Sequence, residues 1–543
     1  MKKQRMALSA VAVFGATALV LTGCASGGDS GGDSSSGNAE AIISTNGSEP
    51  QNPLVPSNTT ETGGGKIVTS IFAGLVSYNA DGSIENEVAS DIQSDDQQTW
   101  NITLEDGWTF TDGTPVTADS FAKAWNWAAS FDNAANSSAS YFFDNIAGYD
   151  AEAQSDLDIT VESDTEMTVN LSAPEADWPL RLGYSAFSPL PESFYEDPEA
   201  FGENPVGNGP YMLDGEGAWT HNQGIELVTN PDYDGNRKPA NGGLSITFYT
   251  SLDSAYADAQ GGNLDVLDAL PDSAFQTYES DFPDRSVNQA AAIFQGMTIP
   301  QYLEHFDGST EEGALRREAI SKAINREDIT EVIFQGTRTP AKDFTSPVIA
   351  GYTDDLEGED VLEYDADEAK DLWAQAEEIS PYGDTTFTIA YNSDGGHQTW
   401  VDAATNSIAS TLGIKAEGKP YATFAELLED QKARNMDGAF RSGWQADYPS
   451  LFNFLAPTLQ TGAGSNYGDY SSEEFDGLLE QGSRAGDVDE ANEYYQQAQE
   501  VLLEDLPQVP LWYANVNGVW ADTVSNVEFG WDSVPIYENV TKD

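Results

Sequence analysis

Two opposite charges stand in one aromatic stretch of the sequence, FRSGWQADYPSLFNF at residues 440–454. Its aromatic and small residues predict a buried strand that runs into a turn, yet Arg441 and Asp447 lie inside it. In an extended strand, residues six positions apart point to the same side and are separated by about 20 Å. The two charges are therefore too far apart to form a salt bridge with each other, and each needs another partner.

That partner can be a ligand or another residue of the protein. Asp447 precedes Tyr-Pro and can cap that turn, and Arg441 can pair with one of many acidic side chains. Trp444 can belong to the core or line a pocket, where Gly443 would keep the neighbouring backbone accessible. The residues alone leave both roles open.

Other reactive side chains are scarce. The sole cysteine is Cys24, which excludes disulfides, a thiolate metal site and a cysteine nucleophile in the folded part. His221, His305 and His397 lie far apart in sequence without metal-ligand spacing, so we expect no metal or other cofactor. Among 91 acidic residues, carboxylate pairs occur by chance and do not indicate a hydrolase without converging geometry. We therefore expect that the protein is not an enzyme.

Length and charge narrow the class further. The chain has 543 residues, well above the roughly 250–300 at which single cores split into domains. It carries 91 acidic against 23 basic residues, a net charge of −68. Such a surface repels nucleic acid and anionic lipid headgroups, which excludes both as partners.

The N-terminus, MKKQRMALSAVAVFGATALVLTGC, has the layout of an export signal. A basic start precedes an apolar run of about sixteen residues, which is too short to span a membrane comfortably. We predict a signal peptide over residues 1–23. The LTGC ending resembles a bacterial lipobox, which implies that Cys24 becomes a lipidated N-terminus; the alternative is an ordinary secretory signal. Residues 24–41, rich in Gly, Ser and Asp, are predicted to form a flexible tether.

The elements that must position the charged stretch follow from Ile42 onward. Short apolar runs, helical stretches and frequent turns predict an α/β protein with mixed sheets. TWNITL and WTF, within residues 99–110, predict a hairpin, and Thr117 is predicted to cap a helix. Residues 314–333 predict one amphipathic helix, and residues 386–394 a strand that ends in a polar turn.

Several of these segments together resemble the extracellular solute-binding proteins of the peptide/oligopeptide/nickel family, the receptors of ABC importers. The matching stretches are DGWTFTDGTPVTADSFAKAW (106–125), PVGNGPYML (205–213), VTNPDYDG (228–235), LRREAISKAINRED (315–328), residues 386–454 and EDLPQVPLWY (504–513). They occur in the order of the family and cover the mature chain. Within the family, the chain is most similar to bacterial oligopeptide-binding lipoproteins.

The resemblance implies an α/β fold of the bilobed, periplasmic-binding-protein-like kind (type II, flytrap), with mixed sheets and an extra insert domain. One lobe would combine residues 42–80, 204–298 and 508–543, and residues 81–203 would form the insert domain. The other lobe, residues 299–507, would close over the ligand by a hinge motion.

The resemblance also implies a peptide ligand and names its contacts. RSGWQADY, residues 441–448, matches the family pattern in which the aspartate binds the amine of the ligand. Asp447 and Arg441 would then hold opposite ends of a zwitterion of roughly five or six residues. The implied binding residues in this pattern are Arg441, Gly443, Trp444, Gln445 and Asp447.

Two further contacts rest on the resemblance. His397, in YNSDGGH, would meet the C-terminal carboxylate of the peptide. Ser48 and Glu49, in the N-terminal NGSE, would pair their main chain with the peptide, and Pro50 would end that pairing because it lacks an N–H. The lysine that some members use for longer peptides is replaced within VIFQGTRTPA (332–341), with Arg338 nearby, so the preferred peptide length stays open.

We therefore expect a monomeric, lipid-anchored receptor that delivers short peptides to ABC permease subunits. It would act at the extracellular face of the cell membrane, or on the periplasmic side where an outer membrane exists. The alternative is a receptor of the same fold for another solute, namely a glycoside, an opine or a metal chelate.

Overall fold

The computed structural model describes residues 38–543. For Asp394 it describes the backbone alone. The predicted signal peptide, Cys24 and residues 24–37 of the predicted tether lie outside the described residues. Residues 38–41 form a turn in which the N–H of Asn38 donates to the carbonyl of Lys542 (2.8 Å). The last four residues of the predicted tether are therefore bound to the folded body.

Helices and strands are mixed along the chain, as the apolar pattern predicts. The α-helices are α1 (Thr62–Ile71), α2 (Ala118–Ala129), α3 (Pro198–Glu203), α4 (Leu252–Gln260), α5 (Tyr278–Asp281), α6 (Glu311–Lys322), α7 (Arg326–Val332), α8 (Ala366–Ile379), α9 (Gln398–Leu412), α10 (Phe424–Lys432), α11 (Leu451–Leu459), α12 (Glu473–Ser483) and α13 (Val488–Asp505). The strands are β1 (Ile42–Gly47), β2 (Val76–Tyr78), β3 (Ile84–Asn86), β4 (Ala89–Gln93), β5 (Thr99–Leu104), β6 (Ile159–Ser163), β7 (Glu166–Asn170), β8 (Tyr211–Leu213), β9 (Trp219–Thr220), β10 (Gly224–Thr229), β11 (Gly243–Phe248), β12 (Val266–Leu267), β13 (Ser286–Thr298), β14 (Arg338–Pro340), β15 (Thr386–Asn392), β16 (Lys415–Tyr421), β17 (Ala439–Gln445), β18 (Gln508–Trp520), β19 (Val524–Ser525) and β20 (Thr541–Lys542).

Two long strands organise the largest sheet. Its order is β16-β15-β17-β13-β18-β12-β1-β11-β10-β8, and both parallel and antiparallel neighbours occur. The antiparallel pair β13 and β18 lies in the middle, and its register shifts between Ala290 and Phe294. Most of β18 is buried, because a central strand packs on both faces, and this accounts for its nearly continuous apolar sequence. A separate antiparallel sheet has the order β4-β5-β7-β6.

Several local predictions are confirmed. Thr117 caps α2, and its N–H donates to the Ser120 hydroxyl (3.1 Å). β15 ends at Asn392 and is followed by a single 3₁₀ turn. Within residues 38–543, no helix is both long and apolar enough to cross a lipid bilayer.

Two local predictions are wrong. β5 does not form a hairpin with residues 108–110; it pairs with β4 and β7, and Thr109 bridges only to Pro115. An alternating strand fits any antiparallel neighbour, so its pattern does not name its partner. Residues 314–333 form two helices, because Asn325 caps a new helix by accepting the N–H of Asp328 (3.1 Å).

Candidate functional site

The charged stretch lies at an incompletely covered edge of the large sheet. β17 pairs with β13 from Phe440 to Gln445, but its other neighbour, β15, pairs only at Ala439 and Phe440. Among the described residues, the segment from Arg441 to Gln445 therefore has a strand neighbour on one side only. Such an edge presents backbone donors and acceptors to an added strand.

Gly443 is required by the sheet itself. A Cβ atom at this position would lie 2.8 Å from the carbonyl oxygen of Phe294 on the neighbouring strand. A larger side chain would push β17 away from β13. The structure thus gives Gly443 a packing role besides the accessibility that the sequence suggests.

Asp447 does not lie in the strand. β17 ends at Gln445, and Asp447 occupies the bend that leads to α11. The expectation that Arg441 and Asp447 point to the same side of one extended strand is therefore wrong, because the extended geometry stops two residues too early.

A buried amide holds Asp447 and Trp444 together. The side-chain oxygen of Asn453 accepts the N–H of Asp447 (2.8 Å) and the indole N–H of Trp444 (3.1 Å). Its NH₂ group donates to the Asp447 carboxylate (3.3 Å). The sequence analysis predicted no role for Asn453. The available signal was an amide inside the otherwise apolar run LFNFL.

Burial makes the Asp447 carboxylate costly to ionise. It raises the pKa of Asp447 to about 6, against the lowering effects of the Asn453 hydrogen bond and the Arg181 charge. Burial also raises the pKa values of Tyr78, Tyr141 and Tyr184, and the negative charge of Asp447 adds to each rise. A half-buried carboxylate among aromatic rings is a suitable partner for an ammonium group.

An ion pair and a hydrogen bond that involve a distant part of the chain support the bend. Arg181 pairs with Glu175 (2.5 Å) and places its guanidinium over the Tyr448 ring, 4.7 Å from the centroid. The Ser450 hydroxyl donates to the carboxylate of Asp177. Burial and the charge of Glu175 raise the pKa of Asp177 to about 6. Residues 175–181 thus contact Tyr448 and Ser450, next to the residue predicted to bind an amine.

Arg441 and His397 share one small cavity. The cavity, of about 150 Å³, is lined by Ile293, Phe294, Gln295, His397, Trp400, Arg441, Ser442, Gly443, Trp444 and Gln445. The Arg441 Nε donates to the side-chain oxygen of Asn392 (2.9 Å), and its guanidinium lies over the Phe424 ring (4.6 Å). The indole of Trp400 donates to His397 Nδ1 (3.1 Å), which assigns the proton of the neutral ring to Nε2. We call this space the histidine cavity.

A second cavity lies against the same strand. It has a volume of about 230 Å³ and is lined by polar residues and by the apolar or aromatic residues Phe424, Leu428, Phe440, Trp444, Leu459, Tyr467 and Tyr470. Gln508 donates to the Ser442 hydroxyl (2.5 Å) at its wall. We call it the aromatic cavity. Arg441, Ser442, Gly443 and Trp444 line both cavities, so a chain lying along β17 could place side chains in either one.

A larger cavity, of about 530 Å³, opens beside Tyr78 and Trp531. Six acidic residues and Arg237 line it, and none of the predicted binding residues does. Arg237 already pairs with Glu87 (2.9 Å) and Glu538 (3.4 Å). This lining does not offer separate sites for the two ends of a zwitterion.

Ser48 and Glu49 line neither of the two cavities against β17. The Glu49 carboxylate contacts His221 Nδ1 (2.7 Å) and accepts the N–H of Asn222 (2.7 Å). These two hydrogen bonds raise no conflict with the prediction, which concerns the main chain of Ser48 and Glu49. Their contact with a ligand stays a prediction.

The structure thus brings together Arg441, Gly443, Trp444, Gln445 and His397 around one cavity and connects Asp447 to Trp444 through Asn453. In the part of the chain that the structure describes, no group of three or more His, Cys, Asp or Glu residues is arranged to hold a metal ion.

A family model, bacterial extracellular solute-binding proteins, family 5 Middle, matches residues 83–466. The chain belongs to this family. This match confirms the family predicted from the motifs. Members of the family are solute-binding components of transporters and not enzymes.

Three comparisons extend beyond the matched region. The chain is 24% identical over 535 residues to the oligopeptide-binding protein OppA of Bacillus subtilis, covering 94% of each chain. It is 26% identical over 536 residues to the periplasmic oligopeptide-binding protein OppA of Salmonella typhimurium, covering 92% of this chain and 91% of the other. The unliganded open form of the periplasmic murein tripeptide binding protein MppA superposes with a TM-score of 0.80 and 21% identity, covering 93% of this chain and 97% of the other. The mixed α/β fold is that of these periplasmic binding proteins.

Proposed function

We propose that this family 5 protein is the peptide receptor of an ABC importer. The observation that carries the proposal is Asp447, a half-buried carboxylate of raised pKa held at the end of a strand whose edge is incompletely paired. The names of the OppA relatives, which describe oligopeptide binding, support the same ligand class.

The proposed ligand is an unmodified short peptide lying along β17. Its ammonium group pairs with Asp447, and its backbone pairs with the edge from Arg441 to Gln445. Its carboxylate is neutralised by Arg441, with His397 Nε2 as a second donor in the same cavity. Because these contacts use only groups that every peptide carries, the receptor accepts varied sequences.

Side chains of the peptide enter the two cavities against β17. The aromatic cavity, at about 230 Å³, suits an apolar or aromatic side chain, and the histidine cavity a smaller one. The predicted main-chain contacts of Ser48 and Glu49 complete the site when the ligand is enclosed.

Capture requires closure of two lobes, for which we retain the predicted boundaries. The lobe of residues 42–80, 204–298 and 508–543, beside the insert domain of residues 81–203, meets the lobe of residues 299–507. With these boundaries the chain passes between the two lobes at the end of β13 (Thr298) and at the start of β18 (Gln508), so the proposed hinge lies there.

We further propose that Cys24 carries a lipid anchor after removal of residues 1–23. The receptor then works on the outer side of the membrane, beside the permease subunits that accept its peptides. Mass spectrometry of the mature N-terminus tests this: a diacylated Cys24 supports the anchor, and an unmodified N-terminus elsewhere contradicts it.

Native mass spectrometry of the protein as purified from cells tests the ligand class. We expect a ladder of peptide masses that disappears on mild unfolding. A single sugar, opine or metal-chelate mass would replace the peptide proposal with another solute.

Calorimetry with matched peptides tests the two charged ends. A free tetrapeptide should bind, whereas its N-acetylated form should lose most of the affinity and its C-amidated form should be weakened separately. Equal binding of the free and N-acetylated peptides would contradict the role of Asp447.

A further inference from the structure

Asn453 occupies an unusual position for an amide. It is the third residue of α11, within the run LFNFL, and only 3% of its surface is exposed. Buried polar groups need hydrogen-bond partners. The three side-chain hydrogen bonds of Asn453 described above all go to Trp444 and Asp447. The buried side chain of Asn453 therefore connects Trp444, in β17, to Asp447, in the bend that follows this strand.

The local fold directs the amide to this place. Ser450 caps α11 by accepting the N–H of Phe452 (3.0 Å), and a bend over residues 447–449 separates β17 from this helix. The first turn of α11 then faces the end of β17. A side chain three residues into the helix reaches both the strand residue Trp444 and the bend residue Asp447.

We propose that Asn453 is a positioning residue that holds Asp447 and Trp444 as one rigid unit in the ammonium subsite. This inference rests on the proposed function. An amide suits the role because it is both acceptor and donor: its oxygen takes two N–H groups while its NH₂ donates to the carboxylate.

Asn453 also bears on when Asp447 ionises. Its hydrogen bond favours the charged carboxylate, as does the positive charge of Arg181, whereas burial disfavours it. The other titratable groups around Asp447 are Tyr78, Tyr141, Tyr184 and Tyr448, whose pKa values are raised, so all four stay neutral at physiological pH. Removal of the amide should therefore shift the ionisation of Asp447 to higher pH.

The test compares Asn453→Ala with wild type, using one free tetrapeptide and its N-acetylated form across pH 5–8. We expect the ratio of the two affinities at pH 7 to fall about tenfold, the effect of losing one hydrogen bond to a charged group. The pH midpoint of free-peptide binding should move upward. An unchanged ratio and midpoint would overturn the proposal.

Two further variants distinguish a positioning role of Asn453 from a general loss of structure. In the background of Asp447→Asn, Asn453→Ala should not lower the ratio further, since the residue through which it acts is already neutral. A further loss in that background would overturn the proposal. Asn453→Ser serves as a second variant, with the same expected direction, if the alanine variant does not fold.

Asn492→Ala is the matched control, because Asn492 is likewise buried (6% exposed) but lies in α13 and lines neither cavity against β17. Its ratio and midpoint should equal those of wild type. If wild type itself does not discriminate the acetylated peptide, the proposed function fails. If wild type discriminates and the Asn453 variants show the same ratio and midpoint, the positioning role alone fails.

Discussion

Replacing Asp447 by asparagine removes one charge with almost no change in shape. Burial raises the pKa of this carboxyl from an ordinary 3.8 to about 6, which makes the ionised form about 3 kcal/mol less favourable than in water. An ammonium group in the site relieves this cost. We therefore expect Asp447→Asn to weaken free-peptide binding by up to about 3 kcal/mol, on the order of 100-fold.

The same carboxyl sets a pH window for binding. Only the ionised form attracts an ammonium, so the affinity of wild type should fall about tenfold per pH unit below about 6. It should also fall above about 8, where the terminal amine of the peptide loses its proton. The affinity of Asp447→Asn for the free peptide should no longer fall below about pH 6. It should still fall above about pH 8, but by a smaller factor.

Stability should change in the opposite direction from binding. Since the folded-state pKa of Asp447 is raised, its contribution to stability is fully present below pH 3.8 and is lost as the pH rises to about 6. The asparagine variant has no ionisable carboxyl at this position, so its stability does not decrease in this way as the pH rises. We expect it to unfold at a higher urea concentration than wild type at pH 8, with the difference shrinking toward pH 4.

Calorimetry and urea unfolding measure the two effects on the same preparations. Asp371→Asn is the control, because Asp371 is an exposed acid on α8 and its loss changes the net charge equally. It should alter neither binding nor its pH window. Asp447→Asn binding a free peptide as tightly as wild type at pH 7, or unfolding more easily at pH 8, would refute the reasoning.

Two further predictions concern the support of the site. Gly443→Ala should lower the free energy of unfolding by about 1–3 kcal/mol in urea titrations, because its Cβ would meet the Phe294 carbonyl at 2.8 Å. Gly477→Ala, in α12 with no neighbour within 4 Å, should instead gain about 0.5–1 kcal/mol; equal effects would contradict the close approach. Arg181→Ala should cost about 3–5 kcal/mol because it leaves Glu175 as a buried unpaired charge, and urea unfolding near wild type would show that the pair contributes little.

Local patterns predicted those features that neighbouring residues decide. The cap at Thr117 and the strand over residues 386–392 depend on periodicity and turn chemistry within a few residues. The partners of β5 could not be predicted in this way, because an alternating pattern does not name its partner and one of the two partners, β7, lies more than sixty residues further along the chain. The separation of α6 from α7 also escaped, since the apolar pattern continues across Ala323 and Ile324.

By itself, the sequence determined the class of the protein and the candidate binding residues. Family motifs singled out Asp447, Arg441, Trp444 and His397, and these motifs are short enough to be read along the chain. Only the tertiary structure decided how the residues are held: Asn453 joins Trp444 to Asp447, and Arg181 arrives from a segment more than 250 residues earlier. The physical reason is that burial and hydrogen bonding, which set the pKa of a carboxyl and the direction of a ring, depend on neighbours in space. Sequence distance does not encode those neighbours.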